Sequence, residues 1–148
     1  MSTRNVLPLS ATHLVRDNCL CLHVQRAARG LARRFDDVFR PLGLTHGQFS
    51  LLMSLNRPEP PTLGRVAALL AMDRTTLTAA LKPLERRRLV KVSVDAEDKR
   101  SRRLAITAAG RALLARAFPL WMQTHAGIER LIPRGSADDL RAGLQALS

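Results

Sequence analysis

Tyrosine is absent, and one Trp and four Phe are the only aromatic side chains in 148 residues. Single-strand binders stack bases on exposed aromatics. Phe35, Phe39, Phe49 and Phe118 stand instead at core spacings. Two Cys cannot build a disulfide framework, which excludes a small stapled secreted scaffold. No apolar run approaches the roughly 18 residues of a membrane span. Residues 1–9 contain a Pro and lack the apolar stretch expected of a signal peptide. Phosphate-cradling GxGxxG and GxxxxGK[ST], the GxSxG nucleophile elbow and the zinc-binding HExxH are all missing, so an enzyme is not expected. His13, His23, His46 and His125 are scattered without metal-ligand spacing, and neither a metal nor a cofactor is expected. Acids are scarce as well, with 12 Asp and Glu against 24 Lys and Arg.

That imbalance is the first positive signal. The formal charge is +12 and the isoelectric point about 11.6, in a chain with 46% hydrophobic residues. Such a composition fits one globular domain spanning 1–148, soluble and cytoplasmic, whose positive field calls for a polyanion partner. Residues 74–103 hold ten basic side chains against four acidic ones, an excess of six and half that of the whole chain. Seven of the ten are Arg, whose planar fork suits phosphate and guanine edges. Concentration of this kind marks a shaped anion-binding face.

Periodicity then gives the elements. A first helix is expected over residues 12–39, where Leu20, Val24, Ala27, Leu31, Phe35 and Val38 make one apolar stripe and Arg26, Arg29, Arg33, Arg34 and Asp37 the opposite face. Pro41 and Gly43 end it. Thr45 caps a short helix through Leu55, with Phe49, Leu52 and Met53 inward. Residues 57–61, Arg-Pro-Glu-Pro-Pro, form a rigid connector. Thr62 caps a third helix burying Val66, Ala67, Leu69 and Leu70, and Ala71 and Met72 make a turn. Asp73 caps a fourth helix reaching about Arg87, and free amides beside that cap suit a phosphate.

In the fourth helix Leu77, Leu81 and Leu84 line the inner face, while Thr75, Ala79, Lys82 and Arg86 fall opposite. That outer face is small, polar and basic, and can enter a groove. Residues 89–94 and 103–107 alternate as two strands around a polar tip over 95–100. Thr107 caps a long helix, apolar at Leu113, Leu114, Ala117, Phe118 and Trp121 and kinked by Pro119. After a break over 133–136, Ser136 caps a last helix carrying Leu140, Leu144 and Leu147. The fold class is therefore mainly α with a small β-hairpin, ordered as a winged helix-turn-helix with flanking helices.

From about residue 18 to 115 the chain resembles the MarR-type transcription regulators. The resemblance rests on Leu44-Thr45-His46-Gly47-Gln48-Phe49, on Asp73-Arg74-Thr75-Thr76-Leu77-Thr78 and on Leu84-Glu85-Arg86-Arg87-Arg88-Leu89-Val90. Its fourth piece is Asp95-Ala96-Glu97-Asp98-Lys99-Arg100, leading to Leu104-Ala105-Ile106-Thr107-Ala108-Ala109-Gly110. It implies a homodimer joined through helices in 12–42 and 108–148, with a winged helix-turn-helix over 45–107 on double-stranded operator DNA. Half-site centres lie about 10 bp apart. Arg74, Thr75, Thr76, Thr78, Ala79, Lys82, Arg86, Lys99, Arg100 and Arg102 are the implied DNA contacts. Arg100 is the minor-groove finger, and Asp98 orients it or a neighbouring Arg. Two departures stand out. Arg88 occupies a position where the family often has a helix-ending Gly, and Pro83 interrupts the recognition helix.

The resemblance also implies a repressor released by a small molecule bound between the dimer helices and the reading head. A basic lining with Arg16 or His46 would suit an aromatic or anionic effector. The alternative is a thiol-based peroxide sensor: Leu20-Cys21-Leu22-His23-Val24 looks like the segment holding the sensor Cys of the peroxide-sensing, OhrR-like branch, which steadies its thiolate with Tyr hydroxyls this chain lacks. Cys19 and Cys21 lie about 200° apart on a helix and do not pair within it. A third reading, a charge-driven non-specific nucleic-acid binder, differs from an operator-specific regulator in lacking preference for one inverted repeat.

Overall fold

The computed structural model describes residues 6–148. Two helices open it, α1 (Leu9–Asn18) and α2 (Leu20–Phe39), followed by a 3-10 turn over Arg40–Leu42. Then come α3 (His46–Ser54), α4 (Leu63–Leu69), α5 (Arg74–Arg86), β1 (Val90–Val94), β2 (Arg102–Ile106), α6 (Ala108–Glu129) and α7 (Ala137–Gln145). The strands pair antiparallel with Val92 opposite Leu104, and Thr62 adds an isolated bridge to Arg103.

The single helix expected over 12–39 is two. Cys19 between them is extended (φ −70°, ψ 110°). The Asn18 side-chain amide donates to the Leu14 carbonyl at 2.8 Å, so a local side-chain bond caps the end of α1. The apolar stripe begins only at Leu20, beyond the break; on the same face before it stand His13, Arg16 and Asp17, so the stripe itself does not carry the helix back to residue 12.

The five expected N-caps are all in place. Side-chain oxygens of Thr45, Thr62, Asp73, Thr107 and Ser136 each accept from the backbone amide three residues on. Thr45 with Gln48 and Ser136 with Asp139 close full capping boxes. The strands are shifted by about one residue from the expected ranges. Both α5 and α6 continue as single helices through Pro83 and Pro119.

One core joins the head to the long helices. Phe39, Leu52, Leu77, Leu84, Leu104 and Ala117 are fully buried, and Phe39 stacks between Phe35 and Phe49 at centroid distances of 5.8 and 4.7 Å. Three residues expected inside are not: Met53 is 39% exposed, Leu69 58% and Phe118 42%. Each stands at the margin of its apolar face, where the chain leaves open hollows. Gly110 is required by close approach, since a Cβ there would lie 2.3 Å from the Leu89 carbonyl oxygen. This contact seats the first turn of α6 against the end of the α5–β1 connection.

Candidate nucleic-acid interface

The outer face of α5 is built from its cap upward. Asp73 accepts the Thr76 amide at 2.8 Å and the Thr76 hydroxyl at 2.7 Å. The Thr76 amide above all holds the Asp73 carboxyl below its ordinary range. Of the amides beside this cap, that of Thr76 is thus taken up by Asp73 itself. The Thr78 hydroxyl donates to the Arg74 carbonyl at 2.8 Å. Its proton is committed to the helix, which leaves the oxygen of this exposed residue only the acceptor role.

An open cleft of about 460 Å³ separates α5 from the hairpin. Arg74 and Thr78 line one side, Asp98, Arg100 and Arg102 the other, and Thr62, Leu63 and Gly64 at the start of α4 form its end. A shallower groove of about 340 Å³ runs along α5 past Arg74, Thr75, Thr78, Ala79 and Lys82. Most of the residues singled out from the sequence therefore share one continuous surface. Thr76, Arg86 and Lys99 are exposed outside these two hollows.

Asp98 organises the hairpin tip through the backbone. Its Oδ1 accepts the Arg100 amide at 3.0 Å, and its carbonyl accepts the Ser101 amide at 2.9 Å. Among the described residues its carboxylate forms no ion pair, so it shapes the turn that carries Arg100 and leaves that guanidinium exposed. Arg102 folds back instead, its Nη1 donating to the Lys99 and Ser101 carbonyls at 3.2 and 3.3 Å.

Sequence reasoning missed what holds the wing in place. Asp95 is 8% exposed; it accepts the Glu97 amide at 3.2 Å and meets the Arg103 guanidinium at 3.4 Å. Arg103 also donates to the Pro60 carbonyl at 2.9 Å, tying the wing to the proline-rich connector. On the far side, Arg87 donates to the Gly43 carbonyl at 2.6 Å and anchors the end of α5 to the turn after α2. Arg88 adopts the left-handed conformation (φ 58°) that a helix-ending Gly would take freely. The Asp95–Arg103 spacing gives no local signal, whereas Thr62 was legible as a cap.

The residues weighed for effector binding lie elsewhere. Arg16 pairs with Asp17 at 2.6 Å, and His46 meets Asp36 at 2.9 Å. The hollows that border α3 and α6 are apolar. One, of about 390 Å³, is lined by Phe49, Met53, Leu69, Leu70, Phe118 and Trp121 with Ser50, Ser54 and Arg57. Another of similar size lies among Met53, Leu114, Ala115 and Phe118, with Asn56 and Arg111 hydrogen-bonded at 3.1 Å at its polar end. Cys21 is an exposed thiol whose sulfur accepts from Gln25 at 3.2 Å, and Cys19 is a half-buried free thiol. His23 turns towards the Asp17 carbonyl at 3.2 Å. Among the described residues no His, Cys, Asp and Glu converge in threes, and no helix is long and apolar enough to cross a membrane.

A two-helix reading head with a basic hairpin, set between long flanking helices, defines a winged helix-turn-helix DNA-binding transcriptional regulator. Comparison with known proteins gives the same class. The MarR family profile matches residues 44–101. The crystal structure of the M. tuberculosis transcriptional regulator MosR in complex with DNA is 37% identical, covers 88% of this chain and 93% of its own, and superposes with a TM-score of 0.79. The transcriptional repressor CouR bound to p-coumaroyl-CoA is 28% identical over 86% of this chain and 90% of its own, with a TM-score of 0.75; CouR from Rhodococcus jostii RHA1 is also seen bound to p-coumaroyl-CoA. The organic hydroperoxide resistance transcriptional regulator of Bacillus subtilis is 28% identical over 108 residues, 73% of this chain and 74% of that protein. The chain belongs to the MarR family.

Proposed function

We propose that the chain is a cytoplasmic homodimeric repressor that grips a pseudo-palindromic operator and is released by a small aromatic or anionic effector. The observation that carries the DNA part is the cleft joining Arg74 and Thr78 on α5 to Arg100 on the wing. The outer face of α5 enters a major groove, and Arg100 reaches the adjacent minor groove. Thr78 presents an oxygen acceptor and a methyl to base edges, while Lys82 meets phosphate.

Dimerisation is supported by apolar side chains that find no cover within one chain. Leu14, Leu20, Met122, Leu140, Leu144 and Leu147 on or beside α1, α2, α6 and α7 are all exposed. The effector site is the pair of hollows that share Met53 and Phe118, where Arg57 or Arg111 supplies the cation for a carboxylate. CouR, 28% identical, is a repressor crystallised with p-coumaroyl-CoA, an aromatic anion.

Footprinting on the DNA upstream of its own gene tests the reading. One protected inverted repeat is expected, bound far more tightly than bulk duplex; equal affinity for both would leave only a charge-driven binder. Arg100→Ala weakens operator binding roughly tenfold or more with the dimer intact, the size of one good groove contact. Unchanged binding removes the wing from the mechanism.

The exposure of Cys21 and the likeness to the hydroperoxide regulator support the second reading, a peroxide-responsive thiol. It predicts release by mild peroxide that disappears when Cys19 and Cys21 are both changed to Ser. Release that persists in that variant ends it.

A further inference from the structure

Helix α2 carries a charge pattern that the reading head does not use. At 3.6 residues per turn, Arg26, Arg29 and Arg33 fall within about 60° of one another, opposite Phe35, and span about 10 Å of helix. All three are exposed. Among the described residues none has an acidic partner; Arg29 alone is engaged, by the Gln25 side chain at 3.1 Å. Gly30 stands within this outer face, where a Cβ would meet nothing nearer than the Arg33 guanidinium at 3.9 Å. A glycine inside a helix is unfavourable against Ala, and no packing in the chain calls for it.

A second copy of the chain has no acidic surface with which to cover this stripe. Asp17, Asp37, Asp95, Glu129 and Asp138 are already paired with arginines, and Asp36 with His46. Asp73 and Asp139 cap helices, and Asp98 closes the wing turn. That leaves Glu59, Glu85 and Glu97, which sit apart on the connector, α5 and the wing. A polyanion from outside is the complement whose repeated charge matches the stripe.

Guanidinium groups, unlike ammonium, match phosphate in a bidentate way. The stripe has no exposed large apolar side chain of the kind that sinks a helix into a lipid surface. We propose that Arg26, Arg29 and Arg33 form a second, sequence-independent site for the phosphodiester backbone of duplex DNA, so that a protein seated on one duplex through α5 and the wing captures another. This rests on the proposed DNA-binding role of α5 and the wing only in that the first duplex is held there.

The test is a bridging assay. A biotinylated duplex from the chain's upstream DNA is immobilised and saturated with full-length protein, and capture of a fluorescent random-sequence duplex is read across salt concentrations. Wild type captures both. Arg26→Gln/Arg29→Gln/Arg33→Gln, checked for helix content by circular dichroism, keeps first-duplex binding, and the salt slope of second-duplex capture falls by about three units. Arg100→Ala weakens first-duplex binding roughly tenfold or more but leaves second-duplex capture per bound protein unchanged, which separates failure of the reading head from failure of the stripe. The proposal is overturned if the triple variant bridges as wild type does, if wild type captures no second duplex, or if the variant loses both duplexes together. Stripe-dependent sedimentation with anionic vesicles, without bridging, would overturn it in favour of a lipid surface.

Discussion

Arg88 holds a left-handed backbone at φ 58° because the chain must turn sharply from α5 into β1. A side chain there costs about 1–2 kcal/mol relative to glycine, part of which the greater chain entropy of unfolded glycine offsets. Arg88→Gly is therefore expected to raise stability by roughly 0.5–1 kcal/mol in denaturant unfolding. A loss would mean the guanidinium holds the turn. Asp36 links α2 to α3, accepting the His46 amide at 2.7 Å and its ring Nδ1 at 2.9 Å. The His46 amide, then its ring, hold the Asp36 carboxyl below its ordinary range. A depressed folded value means this contribution is complete above the ordinary carboxylate range and is lost as pH falls through the folded value. Against Asp36→Asn, the wild-type stability advantage should hold at neutral pH and vanish in acid. An advantage that grows with acidification contradicts the assignment.

At the scale of elements, the hydrogen bonds that start helices span three residues and are legible in the sequence. Thr45, Thr62, Asp73, Thr107 and Ser136 show this. So is the outer face of α5, because 3.6-residue periodicity separates Leu77, Leu81 and Leu84 from Thr75, Ala79 and Lys82. The break at Cys19 precedes the apolar stripe, which begins at Leu20, and the polar residues before it carry no periodicity that would mark a helix end. Gly110 sits where α6 meets the Leu89 carbonyl. Gly110→Ala is expected to cost about 1–3 kcal/mol by overpacking and to loosen the wing against α6. Thermal unfolding together with operator affinity checks it, and an unchanged midpoint would show that the helix shifts freely. Lys82→Ala should lower affinity alike for all duplexes and flatten the salt dependence by about one unit, measured by titration at several salt concentrations.

For the whole molecule, an excess of twelve positive charges and a row of uncovered leucines set two separate demands. In the proposed function, the charge is met by DNA and the leucines by a second subunit. Leu140 and Leu144 are a turn apart on α7 and both exposed. Replacing both with Lys is expected to shift sedimentation from the two-subunit to the one-subunit species and to weaken operator binding at least tenfold, since one head alone spans a half-site. A variant that still sediments as two subunits would remove α7 from the interface.

Local patterning by itself determined the caps, the buried face of α5, the hairpin and the basic run over 74–103, because each depends on neighbours within a few residues. Tertiary structure decided how far that pattern becomes a surface. It brought Arg74 and Thr78 alongside Arg100 and added Gly64. It folded Arg102 back onto carbonyls and fixed the wing through Asp95, Arg103 and Pro60. It also exposed Met53 and Phe118 around apolar hollows where periodicity had placed them in the core. The physical reason is range: an amide three residues away is set by the helix itself, whereas an ion pair or a hollow forms only where separate segments meet.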